Sequence, residues 1–240
     1  MIRAVLFDLD DTLFDHAACS RDALKAVQRC HETLGAMAFA DLERAHALFL
    51  EELHADVMVG RMPLEDARQE RFRRLLSSAG VTPDAVLVAT AAATYRDCYR
   101  DVRRAVPGAA ALLALVKQRA RVAVVSNNLH DEQYDKLRVC GLAPFVDALI
   151  VSEDLGISKP EPAIFAAALG RVECTANEAV MVGDSWAADI MGAHAAGIRA
   201  IWFNRSAAPA PPGMSLRKTV AQLRALEPAR EVVRRIFDEE

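Results

Sequence analysis

Residues 8–13 read Asp8-Leu9-Asp10-Asp11-Thr12-Leu13 and follow directly on the apolar run Ala4-Val5-Leu6-Phe7. Three carboxylates within four positions repel one another, and burying them is costly unless a cation or water meets them. A chain with this sequence must end its first strand either at a solvated loop or at a cation site. Three further polar clusters, Ser126, Lys159-Pro160 and Gly183-Asp184-Ser185, each stand near the end of an apolar run of their own. Taken together, the four clusters fit the cation site better.

The chain changes rhythm twice. Residues 2–8 read as a strand buried on both faces, as in a parallel sheet. Residues 17–101 are almost wholly helical in pattern, with helices expected at 19–34, 39–57, 64–79 and 83–100. The breaks between them fall at Gly35, at Gly60 to Pro63 and at Gly80. After Pro107-Gly108, helices at 109–119, 131–139, 161–169 and 186–196 alternate with strands at 121–126, 147–151, 179–182 and 199–202. Such alternation predicts βαβ units: an α/β, Rossmann-like parallel sheet core with an inserted α-helical cap domain. The expected division is 1–15 plus 102–240 for the core and 16–101 for the cap. Residues 207–213 read as a proline-rich loop, and the remainder to 240 as mainly helical.

Composition narrows the class. Of the 240 residues 52% are hydrophobic and 26% charged, which suits a globular protein with a sizeable core. A net charge of −4 without a basic block argues against a nucleic-acid polymer or a membrane surface as partner. Arg71, Arg73 and Arg74 lie among acids on a helical pattern and read as a solvated face. Five scattered cysteines without metal-ligand spacing suggest reduced thiols and a cytoplasmic location. No leader or membrane-spanning stretch is expected.

In α/β sheets, ligands gather beyond the carboxyl ends of the strands, and Asp8, Asp10, Ser126, Asn127, Lys159 and Asp184 all fall at such positions. Each cluster has an ordinary alternative: a Lys-Pro loop, or a turn in which Ser185 caps the next helix. Their joint order resembles the four motifs of the haloacid dehalogenase superfamily, in the subfamily whose helical cap is inserted after the first motif. Asp8 to Leu13 resembles the first motif, Ser126 the second, Lys159 the third, and Gly183-Asp184-Ser185 with Asp189 the fourth. Asn128 stands where many relatives carry glycine. The cap around Arg71-Phe72 and the stretch Ser152 to Gly156 look similar to the nucleotidase and N-acylneuraminate-9-phosphatase branch.

The resemblance implies Mg²⁺ held by the Asp8 and Asp184 side chains and the Asp10 main-chain carbonyl, a hard-oxygen set. It implies Asp8 as nucleophile, Asp10 as general acid and base, and Lys159 as a second cation, with Ser126 and Asn127 near the phosphoryl oxygens. Asp189 and Thr12 are supporting members of this set. Asp189 would orient Lys159 or a metal-bound water, though an acid in a helix's first turn is also favoured by the dipole alone. The expected activity is Mg²⁺-dependent hydrolysis of a small phosphorylated metabolite, such as a nucleoside monophosphate or sugar phosphate, through an aspartyl phosphate. The alternatives are a 2-haloacid dehalogenase or a phosphomutase of the same fold. Dehalogenases lack a second acid at position 10, because halide leaves without protonation. A catalytically silent binding protein, monomeric or dimeric like the enzyme, would be expected to have lost one of these acids, and all are present. In the cap, Arg71 is the candidate for substrate binding, with His16 and Arg61 as weaker candidates. Lys25 reads as a surface lysine, and Trp186 as either core or a wall of the site.

Overall fold

The computed structural model describes residues 1–209, 211 and 220–239. The chain opens with β1 (Ala4–Phe7), followed by helices α1 (His16–Cys30), α2 (Glu32–Gly35), α3 (Phe39–Met58), α4 (Leu64–Ser78) and α5 (Ala85–Asp101). It continues with α6 (Ala109–Lys117), β2 (Arg121–Ser126), α7 (His130–Val139), β3 (Ala148–Val151), α8 (Ser152–Leu155), α9 (Pro162–Arg171) and β4 (Ala179–Gly183). The last elements are α10 (Met191–Ala195), β5 (Arg199–Phe203), β6 (Ala221–Leu223) and α11 (Ala229–Phe237). Two compact units result, one of Met1–Asp15 with Arg104–Glu240 and one of His16–Arg103.

In the first unit all six strands are parallel, in the order β3-β2-β1-β4-β5-β6. The apolar runs predict this, since a strand covered by helices on both faces needs no polar alternation. Phe7 lies opposite Val124 on one side and Val182 on the other. The residues just past β1, β2 and β4 therefore share one level at one sheet edge. Strand order reverses between β1 and β4, and a crevice opens at such a reversal. One face of the sheet packs Leu6, Val125 and Met181 against Ile164 and Phe165 of α9. The chain leaves and re-enters this unit along neighbouring tracks: Asp15 N–H donates to the Arg104 carbonyl, and Val106 N–H to that of Leu13.

The second unit is a helical bundle. The buried residues of α1, Cys19, Ala23, Leu24 and Val27, recur at helical spacing on one face. Ala23, Leu24 and Val27 meet Phe72, Leu75 and Leu76 of α4 and Val88, Ala91 and Tyr95 of α5 in one core. Asp84 caps α5 by accepting the Leu87 N–H at 2.8 Å, so the helix begins after residue 83 rather than at it.

Three expectations need correction. The segment after residue 213 is not simply helical, because Ala221–Leu223 forms β6 beside β5. Three residues are too few to display a period, and only the neighbouring strand identifies them. The proline-rich stretch at 207–213 lies partly outside the described residues. The first cap helix ends at Cys30, with a separate turn of helix after His31. The helix expected at 186–196 begins as a π-turn at Trp186–Ile190 before continuing as α10.

Helix α10 approaches α9 so closely that Gly192 is required there. A Cβ at that position would lie 2.6 Å from the Phe165 ring and 2.9 Å from the Pro160 backbone. Gly192→Ala is expected to overpack this contact and lower stability by about 1–3 kcal/mol, read as a lower denaturation midpoint at unchanged m-value. An unchanged midpoint would show that the contact yields freely.

Candidate active site

Lys159 stands at the centre of the acidic cluster. Its ammonium is 2.6 Å from Asp8 Oδ1 and 2.6 Å from Asp189 Oδ1, and its side chain is only 3% exposed. Asp8 is the first residue past β1, and its N–H continues the sheet ladder to the Val182 carbonyl. Asp189 is supplied by the π-turn after β4. It is fully buried, and its second oxygen accepts the Ser185 N–H at 2.9 Å. Gly183 makes this possible, since any Cβ there would overlap the Asp189 carboxylate. Ser185 caps the turn by accepting the Ala188 N–H at 3.2 Å.

Asp184 completes the cluster. Carboxylate oxygens of Asp8, Asp184 and Asp189 all lie within 4.8 Å of one another. Thr12 Oγ1 is 3.5 Å from Asp184 Oδ1, and Trp202 Nε1 donates to the Asp184 carbonyl at 2.7 Å. Three carboxylates against one ammonium leave surplus negative charge. Burial, then repulsion from Asp189 and Asp11, pushes Asp184 up to about 7. Burial also raises Asp8 well above the usual carboxylate range, Asp189 and Asp184 adding to the rise while Lys159 opposes it. Burial tends to lower Lys159, but Asp189 and Asp8 outweigh it and hold the ammonium charged. A compact set of hard oxygens with uncompensated negative charge suits a divalent cation such as Mg²⁺.

Asp10 is held apart from this cluster. Its Oδ1 accepts from Lys136 Nζ at 2.6 Å, and its Oδ2 from Gln133 Nε2 at 2.8 Å and Asn128 Nδ2 at 3.3 Å. Gln133 also donates to Ser126 Oγ at 2.5 Å, tying the ends of β1 and β2 through one amide. Lys136 and Gln133, both buried on α7, are absent from the residues singled out in the sequence. Their i, i+3 spacing puts them on one face, but Asp131, Glu132, Asp135 and Arg138 around them make α7 read as a solvated helix. Asn127 serves the Lys159 loop: its Nδ2 donates to the Lys159 carbonyl at 2.8 Å, and its Oδ1 accepts the Lys159 N–H at 2.7 Å. Trp186 belongs to the core, edge-on to Trp202 at 4.9 Å.

The remaining candidates lie in the helical unit. Arg61 is an exposed partner of Asp56, Lys25 is exposed, and His16 Nδ1 is hydrogen-bonded to the Tyr99 hydroxyl at 2.8 Å. Arg73 and Arg74 pair with Glu70 on the surface. Arg71 departs from the solvated-face reading: it is 9% exposed and lies over the rings of Phe72 and Tyr95.

The family model described as haloacid dehalogenase-like hydrolase matches residues 2–197. A phosphoserine phosphatase of Thermus thermophilus is 32% identical, the match covering 93% of this chain and 97% of that protein. Among solved structures, the HAD-hydrolase YfnB of Bacillus subtilis, crystallised with magnesium, is 28% identical with a TM-score of 0.73, covering 97% and 98% of the two chains. A 2-haloacid dehalogenase of Pseudomonas syringae is 30% identical with a TM-score of 0.64, covering 98% and 99%.

The raised Asp184 has a measurable consequence. Its carboxyl moves from an ordinary 3.8 when unfolded to about 7 when folded, so between those values the folded chain holds a proton that the unfolded chain has lost. That contribution is fully present below about 3.8 and is lost as pH rises through about 7. In EDTA, Tm is expected to fall between pH 5 and pH 8, and to fall less in Asp184→Asn. Mg²⁺ is expected to restore wild-type Tm at pH 8. A wild-type Tm in EDTA that rises over this range would contradict the charge surplus.

Proposed function

The chain belongs to the haloacid dehalogenase-like hydrolases, and on that premise we propose that it is a Mg²⁺-dependent phosphomonoester hydrolase acting on a small phosphorylated metabolite. The observation that carries this reading is the Asp8–Lys159–Asp189 bridge with Asp184 beside it. A carboxylate nucleophile and a phosphate dianion repel each other, so positive charge must be in place before they meet. Lys159 supplies one such charge. The Asp8 and Asp184 side chains and the Asp10 main-chain carbonyl are the proposed holders of Mg²⁺, which when bound neutralises phosphoryl charge in the transition state.

In the proposed reaction an Asp8 oxygen attacks phosphorus and the bond to the leaving oxygen breaks, giving an aspartyl phosphate. Asp10 gives its proton to the leaving oxygen, then takes one from the water that cleaves the acyl phosphate, and Asp8 is restored. Ser126 lies at the same sheet edge as Asp8, where its hydroxyl suits a phosphoryl oxygen. Asn127 contributes by fixing the loop that carries Lys159, and Asp189 by fixing the ammonium. Thr12 steadies Asp184.

The 2-haloacid dehalogenase among the similar structures favours a second reading, in which Asp8 displaces halide instead. Asp10 argues for the phosphatase, since halide needs no proton to leave, whereas an alkoxide does. A phosphomutase would use the same acids and differ in how it excludes water. The proposed setting is a cytoplasm, in keeping with five cysteines none of which forms a disulfide, with the protein monomeric or homodimeric. Among the described residues no helix is long and apolar enough to cross a membrane.

A screen of metabolite phosphates and an aryl phosphate is expected to show phosphate release that requires Mg²⁺ and is reversibly lost in EDTA. Asp8→Asn is expected to lose nearly all turnover, and Asp10→Asn to keep Mg²⁺ binding while slowing by about 10²- to 10⁴-fold. Halide release from a 2-haloacid in EDTA, with no phosphate release in Mg²⁺, would replace this reading with the dehalogenase.

A further inference from the structure

Arg71 is nine-tenths buried in the helical unit, yet its Nε is buried without a hydrogen-bond partner and no carboxylate pairs with the side chain among the described residues. Its guanidinium carbon sits 5.0 Å from the Tyr95 ring centre and 5.5 Å from that of Phe72. The same aromatic cluster holds a second unpartnered group. His46 is 2% exposed, its ring is 4.8 Å from that of Tyr95, and its Nε2 has no partner. The Tyr95 hydroxyl is already committed to Ser20 Oγ at 2.9 Å.

Such an arrangement is costly as it stands. A guanidinium taken out of water needs a counter-charge, and cation–π contacts replace only part of the lost hydration. Isolated buried charges of this kind are characteristic of places where something else supplies the opposite charge. Burial lowers Arg71 only within a range where it stays protonated at neutral pH, because guanidinium loses its proton far above it. Burial, with the Arg71 charge adding to it, holds His46 well below its ordinary value, so its ring is neutral at pH 7 and one ring nitrogen carries a proton.

We propose that Arg71, His46 and the Tyr95–Phe72 rings form a binding site for the carboxylate group of a small molecule. The charge balance selects this class: one fixed cation beside a neutral imidazole neutralises one negative charge, which a carboxylate carries and a phosphate dianion exceeds. The planar fork of Arg71 matches the two oxygens of a carboxylate, and the flanking rings shield the pair from water. The site lies wholly among α3, α4 and α5 and stands whether or not the other unit hydrolyses phosphate esters.

The test uses acetate as probe on the full chain, with sodium chloride at matched ionic strength as reference. Acetate at a tenfold excess over its dissociation constant is expected to raise wild-type Tm by about 3–6 °C. Arg71→Met is expected to abolish that rise. Arg71→Lys, which keeps the charge and loses the fork, is expected to weaken acetate at least about tenfold, and it carries the test if the methionine variant does not fold. An equal acetate response in wild type and both variants, or none in wild type, overturns the proposal. So does a response to inorganic phosphate that depends on Arg71 and exceeds that to acetate. Failure of the phosphatase reading would appear separately, as absence of Mg²⁺-dependent aryl phosphate hydrolysis by the wild type.

Discussion

The rest of the first unit is arranged around one buried ammonium. Lys159 Nζ lies between Asp8 and Asp189, each 2.6 Å away, where neither sign of charge could be buried alone. The three residues come from different connections of the sheet, and each is fixed by its own local device. Sheet register sets Asp8, the Asn127 amide clamps the backbone of Lys159, and the Ser185 N–H with the bare Gly183 backbone positions Asp189. Removing one member leaves an unpaired charge in a desolvated place, so the group acts as a unit.

The acids of this edge are divided between two environments. Asp8, Asp184 and Asp189 share one ammonium and retain surplus negative charge, whereas Asp10 is held by Lys136, Gln133 and Asn128. Two carboxylates two residues apart thereby receive different partners. That separation is what a pair of acids needs if one is to attack and the other to carry protons. The local turn contributes, since Asp11 adopts a positive φ of 62° and its N–H returns to the Phe14 carbonyl.

The helical unit shows the opposite balance. Its core is apolar and aromatic, and its surface ion pairs, such as Arg21 with Glu43 and Arg74 with Glu52, are exposed and contribute little to stability. Arg71 and His46 stand out because Arg71 Nε and His46 Nε2 are buried in that core without hydrogen-bond partners. A bundle of this size has ample apolar residues to fill the place, so two unpaired polar groups there are a cost that packing does not explain.

Much of the fold was legible in the chain because the signals are local. Four-residue to six-residue apolar runs ending in polar clusters are too short for helices and read as strands buried on both faces, and the intervening helical periods imply parallel crossovers. The acids at residues 8, 10 and 184 could be singled out because charges at the ends of buried strands are conspicuous, and the lysine at 159, in the loop beyond β3 and α8, because of its order among them. Tertiary structure decided what local pattern cannot encode. Whether Arg71 on α4 is solvated or buried depends on the packing of α3 and α5, which a charged surface pattern disguises. Lys136 and Gln133 look like ordinary exposed helix residues until the sheet places Asp10 beside them. The three residues of β6 have no period to read, and only the free edge of β5 makes them a strand. The sequence by itself determined which residues end the strands, because unbroken apolar runs stop there at polar residues; which side chains then meet was decided only by the fold, because those contacts join residues far apart in the chain, such as Lys159 with Asp8, 151 positions away.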